Sequence, residues 1–110
     1  MPEVRYTLAS LGHDLSRLGE SYLEFLRIPS MSAGLYVLPA DGKDEQTPHR
    51  EDEIYYVLKG KAIFQRSGQD LAVTAGDVLF VPARSPHHFH HIVERLELLV
   101  VFAPAETGPA

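Results

Sequence analysis

Turn-forming residues cut this chain into short pieces, and that punctuation constrains its fold more than any other feature. Tyr22–Ile28 stops at Pro29, Ala33–Leu38 at Pro39-Ala-Asp-Gly42, Glu53–Leu58 at Lys59-Gly60, Ala62–Arg66 at Ser67-Gly68, Leu71–Thr74 at Ala75-Gly76 and Asp77–Val81 at Pro82. His87–Val93 follows Ser85-Pro86, and Leu96–Phe102 runs up to Pro104. The pieces are rich in Val, Ile, Leu, Tyr and Phe, and Gly60, Gly68 and Gly76 recur at eight-residue intervals. About eight short strands with regular turn signals predict an antiparallel sandwich or barrel. No sequence repeat accompanies the spacing, which argues against a propeller or solenoid. Ile54–Leu58 and Val78–Val81 are continuous apolar runs, so both faces are expected to be covered, one by the core and one by a second sheet or subunit.

At 110 residues the chain is expected to form one domain able to bury roughly two-thirds of the surface its unfolded form exposes. The barrel is expected over 22–103. Residues 1–21 read as an irregular segment with a short helical turn at Leu11–Leu18, capped by Asp14 or Ser16 and bracketed by Gly12 and Gly19. Residues 104–110 read as a C-terminal tail that frays. The absence of cysteine excludes disulfides, thiolate zinc sites, cysteine nucleophiles and thiolate-held iron–sulfur clusters. Ten Lys+Arg against fifteen Asp+Glu, a net charge of −5, argue against nucleic acid as a partner. The longest apolar run, Leu98–Ala103, falls far short of the roughly twenty residues a membrane span needs. The start shows no basic segment followed by an apolar run, so the expected location is cytoplasmic.

Five of the six histidines lie at 49 and within 87–91. In an extended chain, alternation places His49, Glu51, Glu53 and Tyr55 on one face and Arg50, Asp52 and Ile54 on the other. Carboxylates beside a histidine on a face leading into an apolar run are costly to bury unless paired or coordinated. The simpler reading is a solvent-exposed strand end with Arg50 among acids. In Pro86-His87-His88-Phe89-His90-His91, alternation groups His87, Phe89 and His91, with His88 and His90 facing solvent or a neighbouring sheet. His49 with a carboxylate, Glu51 or Glu53, on one strand and a second histidine, His87 or His91, on another make a two-histidine, one-carboxylate set with coordination positions left open. Such a set suits divalent iron, with manganese, nickel or zinc as alternatives.

These residues resemble the cupins, in particular their small single-domain members. One cupin motif runs G-x5-H-x-H-x3,4-E-x6-G, and Glu53, the six residues Ile54–Lys59 and Gly60 match its second half. The other runs G-x5-P-x-G-x2-H-x3-N, and Gly76, Pro82 and His87 match it. Fifteen residues separate Gly60 from Gly76, like the short stretch between motifs in small microbial members. The resemblance covers about residues 22–103 and implies an all-β jelly-roll barrel holding a metal or small ligand. Counting back from Glu53 puts His49 at the second motif histidine and Thr47 at the first; a gapped alignment makes His49 the first and Glu51 the second. Arg84 stands at the second motif's glycine and His91 at its asparagine. The resemblance thus implies His49, Glu53 and His87 as metal ligands, Glu51 as a possible fourth, and His91 or Glu51 as the group that handles protons. Tyr22, Tyr36, Tyr55 and Phe89 are candidate pocket residues.

The expected function is a metal-dependent oxidoreductase of the dioxygenase type acting on a small molecule. The alternatives are a non-catalytic barrel that binds a metal or metabolite, and a metal-dependent isomerase or decarboxylase. An open barrel leaves edges to cover, and Tyr22–Ile28 and Leu98–Phe102 are candidates for pairing across a two-fold axis in a homodimer.

Overall fold

The computed structural model describes residues 2–108. One helix, α1 (Leu8–Leu18), precedes six strands: β1 (Tyr22–Ile28), β2 (Met31–Leu38), β3 (Asp52–Arg66), β4 (Gln69–Thr74), β5 (Val78–Val81) and β6 (His87–Ala103). All strand pairs are antiparallel, in the order β1-β2-β6-β3-β4, with β5 pairing the first half of β3. The sheet wraps around its core as an open jelly-roll barrel, with no pairing between its outer strands β1 and β4 among the described residues. None of the helices described is long and apolar enough to cross a membrane.

There are six strands rather than about eight because two pairs of expected pieces are continuous. Glu53–Leu58 and Ala62–Arg66 join through Gly60 into β3, and His87–Val93 and Leu96–Phe102 join into β6. The β3–β6 register shifts between Val57 and Ile63, so the strands bend at the punctuation instead of ending there. At the bend Gly60 has φ 103, and a Cβ on it would lie 2.3 Å from the Arg95 carbonyl oxygen. Only glycine lets the two backbones approach this closely. The β3–β4 hairpin turns on Ser67-Gly68, both at positive φ (51 and 82), the geometry a two-residue connection favours.

Helix α1 starts earlier than expected. Thr7, not Asp14 or Ser16, is its cap, with the hydroxyl accepting from the Ser10 N–H at 3.2 Å. Gly12 lies within the helix, which stops at Gly19. Leu11 and Leu15 pack on Leu35 of β2, with Leu23, Phe25 and Val37 around them, so the helix covers the outer face of β1 and β2. Of β3 only Leu58 packs against this cluster, and no residue of β5 does. Ile54, Tyr56, Val78 and Phe80 are consequently exposed, at 44%, 40%, 63% and 54%, and the expectation that both faces of these runs are covered does not hold within the chain. Leu98–Phe102 lies in the middle of the sheet, bonded to β2 on one side and β3 on the other, and offers no free edge. β1 is an edge strand.

The barrel interior holds Tyr55, Val57, Phe64, Leu79, Val81, Phe89, Ile92, Leu96, Leu98, Val100 and Phe102. The segment after Pro104 does not fray as expected. Ala105 is buried and its N–H faces the Pro29 carbonyl at 3.4 Å. The chain there lies over one end of the barrel, where the polar residues of the interior collect; residues 109 and 110 of the expected tail lie outside the described residues.

Candidate metal centre

Alternation along the start of β3 turns Glu51, Glu53, Tyr55 and Val57 inward and Asp52, Ile54 and Tyr56 outward. His49, just before the strand, is held by the Arg84 N–H, which donates to its carbonyl at 2.6 Å. His87 opens β6, opposite Arg66 at the far end of β3. The wrapping of the sheet brings these distant points together. One donor atom each from His49, Glu53 and His87 lie within 4.8 Å of one another, with Glu53 2% and His87 5% exposed.

The hydrogen-bond polarity of this cluster is informative. His87 Nδ1 is 2.8 Å from the Ser85 carbonyl oxygen. A carbonyl only accepts, so Nδ1 carries the proton and Nε2 of the neutral ring presents a lone pair. That Nε2 faces Glu53 Oε1 at 3.1 Å and the Tyr55 hydroxyl at 3.2 Å. Glu53 Oε1 is buried and has no hydrogen-bond partner. Asp44 accepts from the Tyr36 hydroxyl (2.6 Å), the Gln46 side-chain amide (2.6 Å) and the Phe89 N–H (2.9 Å). With its NH₂ committed to Asp44, Gln46 must aim Oε1 inward, where it accepts from the Tyr55 hydroxyl at 3.0 Å and lies 3.3 Å from His49 Nε2. Burial, followed by the field of Glu53, raises the Tyr55 pKa and keeps its hydroxyl a donor. Burial and the bond to Asp44 do the same for Tyr36.

The lone pair of His87 Nε2, the Glu53 carboxylate and the Gln46 amide oxygen thus converge beside His49, with Tyr55 supplying a proton to the amide. Leaving buried acceptors facing each other costs about 1–3 kcal/mol per unsatisfied group. A cation in their midst removes that cost, and a nitrogen and oxygen donor set without sulfur suits a first-row divalent ion. The residues present therefore fit a metal.

His49 has a second neighbour. Its Nδ1 lies 3.0 Å from Glu106 Oε2, and this carboxylate raises the His49 pKa against the opposing effect of burial. Its ring packs on Phe102, with centroids 4.9 Å apart. Beside the cluster is a cavity of about 140 Å³ lined by Tyr22, Tyr36, Gln46, His49, Glu53, Tyr55, Val100, Phe102 and Glu106. At about 30 Å³ per water, this is room for a ligand of a few heavy atoms. No lysine or arginine lines it. The Tyr22 hydroxyl is buried without a partner. Burial, then Glu106, raises its pKa, so it keeps its proton.

The structure thus brings His49, Glu53 and His87 together, and Tyr22, Tyr36 and Tyr55 line the cavity; Phe89 packs deeper in the core and does not. Glu51 is buried nearby, with Oε2 accepting from the Thr107 hydroxyl at 2.6 Å and Oε1 unpartnered, but it does not join the three-donor group or line the cavity. Thr47 is exposed, and Gln46 holds the inward position beside it. His91 corrects the sequence reading. Its φ of 48 interrupts the alternation where the β3–β6 register shifts, turning it outward against His90, so it is neither a ligand nor a base at this site. Asparagine, the residue it replaces in the motif, tolerates that conformation. Arg84, at the motif's glycine, has φ 67, so the backbone keeps a glycine-like turn without the glycine. His88 is half-buried, and His90 Nε2 bonds Asp70 at 2.9 Å. Sequence reasoning missed Gln46, Asp44 and Glu106.

Comparison with known proteins agrees with this architecture. The profile of the Cupin domain family matches residues 34–102. An uncharacterized protein of Streptomyces coelicolor is 47% identical over 87 residues, spanning 79% of this chain and 83% of its own length. A structure described as a predicted oxalate decarboxylase of Thermotoga maritima superposes with a TM-score of 0.66 at 26% identity, covering 76% of this chain and 78% of that one. A DMSP lyase of Ruegeria pomeroyi gives a TM-score of 0.65 at 27% identity over 69% of this chain and 39% of that one.

Proposed function

The chain belongs to the cupin family, and we propose on that footing that it is a metal-dependent oxidoreductase of the dioxygenase type acting on a small neutral or cationic molecule. One observation carries the reading: ligand atoms of half-buried His49 and of buried Glu53 and His87 lie within 4.8 Å of one another beside a cavity of about 140 Å³. When bound there, divalent iron, manganese, nickel or zinc would supply Lewis acidity, and iron or manganese also one-electron chemistry.

The remaining functions fall to this chain's own residues. The Tyr22 hydroxyl, protonated and without a partner, is free to donate to a substrate oxygen. Tyr55 keeps its proton and holds Gln46 Oε1, which in turn fixes the wall beside His49. Val100 and Phe102 make part of the cavity apolar and limit water. Glu53 and Glu106 line the cavity with no lysine or arginine beside them, which disfavours a substrate carrying free carboxylates.

A second reading, a decarboxylase or lyase at the same centre, is favoured by the likeness to the predicted oxalate decarboxylase and the DMSP lyase. Oxygen uptake by metal-loaded protein, measured over small phenols, diketones and amino-acid derivatives, separates the two when carbon dioxide release from oxalate is followed in parallel. Uptake that is lost in Glu53→Gln supports the oxidoreductase. Carbon dioxide release without uptake supports the decarboxylase, and saturable binding without turnover points to a binding barrel.

A further inference from the structure

The chain after Pro104 is tied to four places in the fold. The Ala105 N–H faces the Pro29 carbonyl at 3.4 Å, in the turn between β1 and β2. The Glu106 N–H donates to the hydroxyl of fully buried Ser32 at 2.9 Å, and its carbonyl accepts from the Arg27 guanidinium at 2.6 Å. The Thr107 hydroxyl donates to Glu51 Oε2 at 2.6 Å. Both backbone polar groups of Glu106 are therefore pinned, and a neighbour on each side is anchored as well. A segment that merely ended the chain would have no need of these ties.

Their effect is to place one side chain. Glu106 lines the cavity, and its Oε2 lies 3.0 Å from His49 Nδ1. A carboxylate at this distance repels a lone pair on Nδ1 and favours a proton there. Gln46 Oε1, also only an acceptor, faces Nε2 at 3.3 Å, so the two oxygens compete for the one proton of the neutral ring, and the nearer, charged Glu106 holds it on Nδ1. Glu106 itself lies outside the three-donor group. Its action on a metal would pass through His49.

We propose that the C-terminal segment is a strap whose Glu106 carboxylate fixes the tautomer and ring orientation of His49, making Glu106 a positioning residue of the metal centre. The metal part of this inference rests on the reading of His49 as a ligand; the tautomer part does not. A carboxylate behind a ligating imidazole raises its basicity and holds its direction, and losing such a partner typically weakens metal binding roughly 10–100-fold.

The test uses the full chain with Glu106→Ala, Glu106→Gln and, as a readout of the strap's anchoring alone, Thr107→Val. Zinc and cobalt affinities are measured by competition with a chromophoric chelator. The cobalt absorption spectrum reports ligand geometry. In metal-free protein, nitrogen-15 correlation spectra at a pH well above the imidazole range report the His49 tautomer, with the signal identified by its loss in His49→Gln. The expected result is a protonated Nδ1 in the native chain, a mixture of tautomers in Glu106→Ala and affinity loss of roughly 10–100-fold with a changed cobalt spectrum. Glu106→Gln, which still offers an acceptor oxygen, should lie close to the native protein, and Thr107→Val should show a smaller loss of the same kind. Unchanged affinity and an unchanged tautomer in Glu106→Ala would overturn the proposal. If the native chain binds neither metal, the ligand reading fails, and the tautomer measurement still decides whether Glu106 positions His49.

Discussion

Replacing Glu53 by glutamine keeps the side-chain shape, removes a buried charge and adds a donor facing His87. In the native chain Glu53 Oε1 is buried without a partner, 3.1 Å from a His87 nitrogen whose proton is held at the other side of the ring by Ser85. An unsatisfied buried acceptor costs about 1–3 kcal/mol, and the new amide-to-imidazole hydrogen bond contributes about 0.5–1.5 kcal/mol. Since the two figures partly describe the same event, the metal-free variant should be more stable than the metal-free native chain by about 1–3 kcal/mol. For a domain of this size that is a Tm increase of several degrees, at about 4 °C or more per kcal/mol. With metal at about 100 times its Kd the native chain should gain about 2.7 kcal/mol, while the variant, lacking the carboxylate, gains nothing measurable. Urea unfolding at about pH 8, above the ordinary imidazole pKa, with and without chelator, measures all four values. Were the variant less stable in chelator by about 3–5 kcal/mol, Glu53 and His87 would be a self-sufficient buried ion pair, and the argument for a cation from unsatisfied acceptors would fail.

Other perturbations test separate parts of the account. Gly60→Ala puts a Cβ 2.3 Å from the Arg95 carbonyl oxygen at φ 103; backbone strain and overpacking together should cost about 2–5 kcal/mol in urea unfolding, and a loss under about 1 kcal/mol would contradict the bend. Gly34→Ala puts a Cβ 2.2 Å from the Tyr22 ring, which must swing away from the cavity; tyrosine fluorescence should change with a stability loss of about 1–3 kcal/mol, and an unaltered spectrum would contradict the packing. The His49 pKa is raised by Glu106, so in metal-free protein its stabilising contribution is complete below the unfolded imidazole pKa of about 6.5 and fades as pH rises through the higher folded value. Metal binding needs the neutral ring, so affinity should rise with pH across that same window; Tm in chelator and metal Kd measured against pH should therefore show opposite trends, and parallel ones would refute the assignment.

The inward set around Glu53 is legible in the sequence because a two-residue period needs no tertiary information, and residues 49–57 obey it. His87 is legible through its spacing from Gly76 and Pro82. The same period misplaces His91, because a shift of β3–β6 register turns one residue over and nothing local announces it. The glycine punctuation locates bends correctly but overcounts strands, since Gly60 permits a close backbone crossing as well as a turn. Asp44 and Gln46 lie in an irregular stretch without periodicity, and their roles arise only once Phe89 and Tyr36 are brought to them. Glu106 is the extreme case. Its contact with His49 joins positions 57 apart (106 − 49) through a segment whose composition resembles a loose end.

The central claim, that the convergent acceptors of His49, Glu53 and His87 hold a metal ion, is tested most directly by elemental analysis of protein purified without a metal-affinity column. The account predicts about one divalent iron, manganese, nickel or zinc ion per chain, lost in Glu53→Gln and in His87→Ala. Native protein that takes up none of these ions, even when they are supplied during refolding, would contradict it.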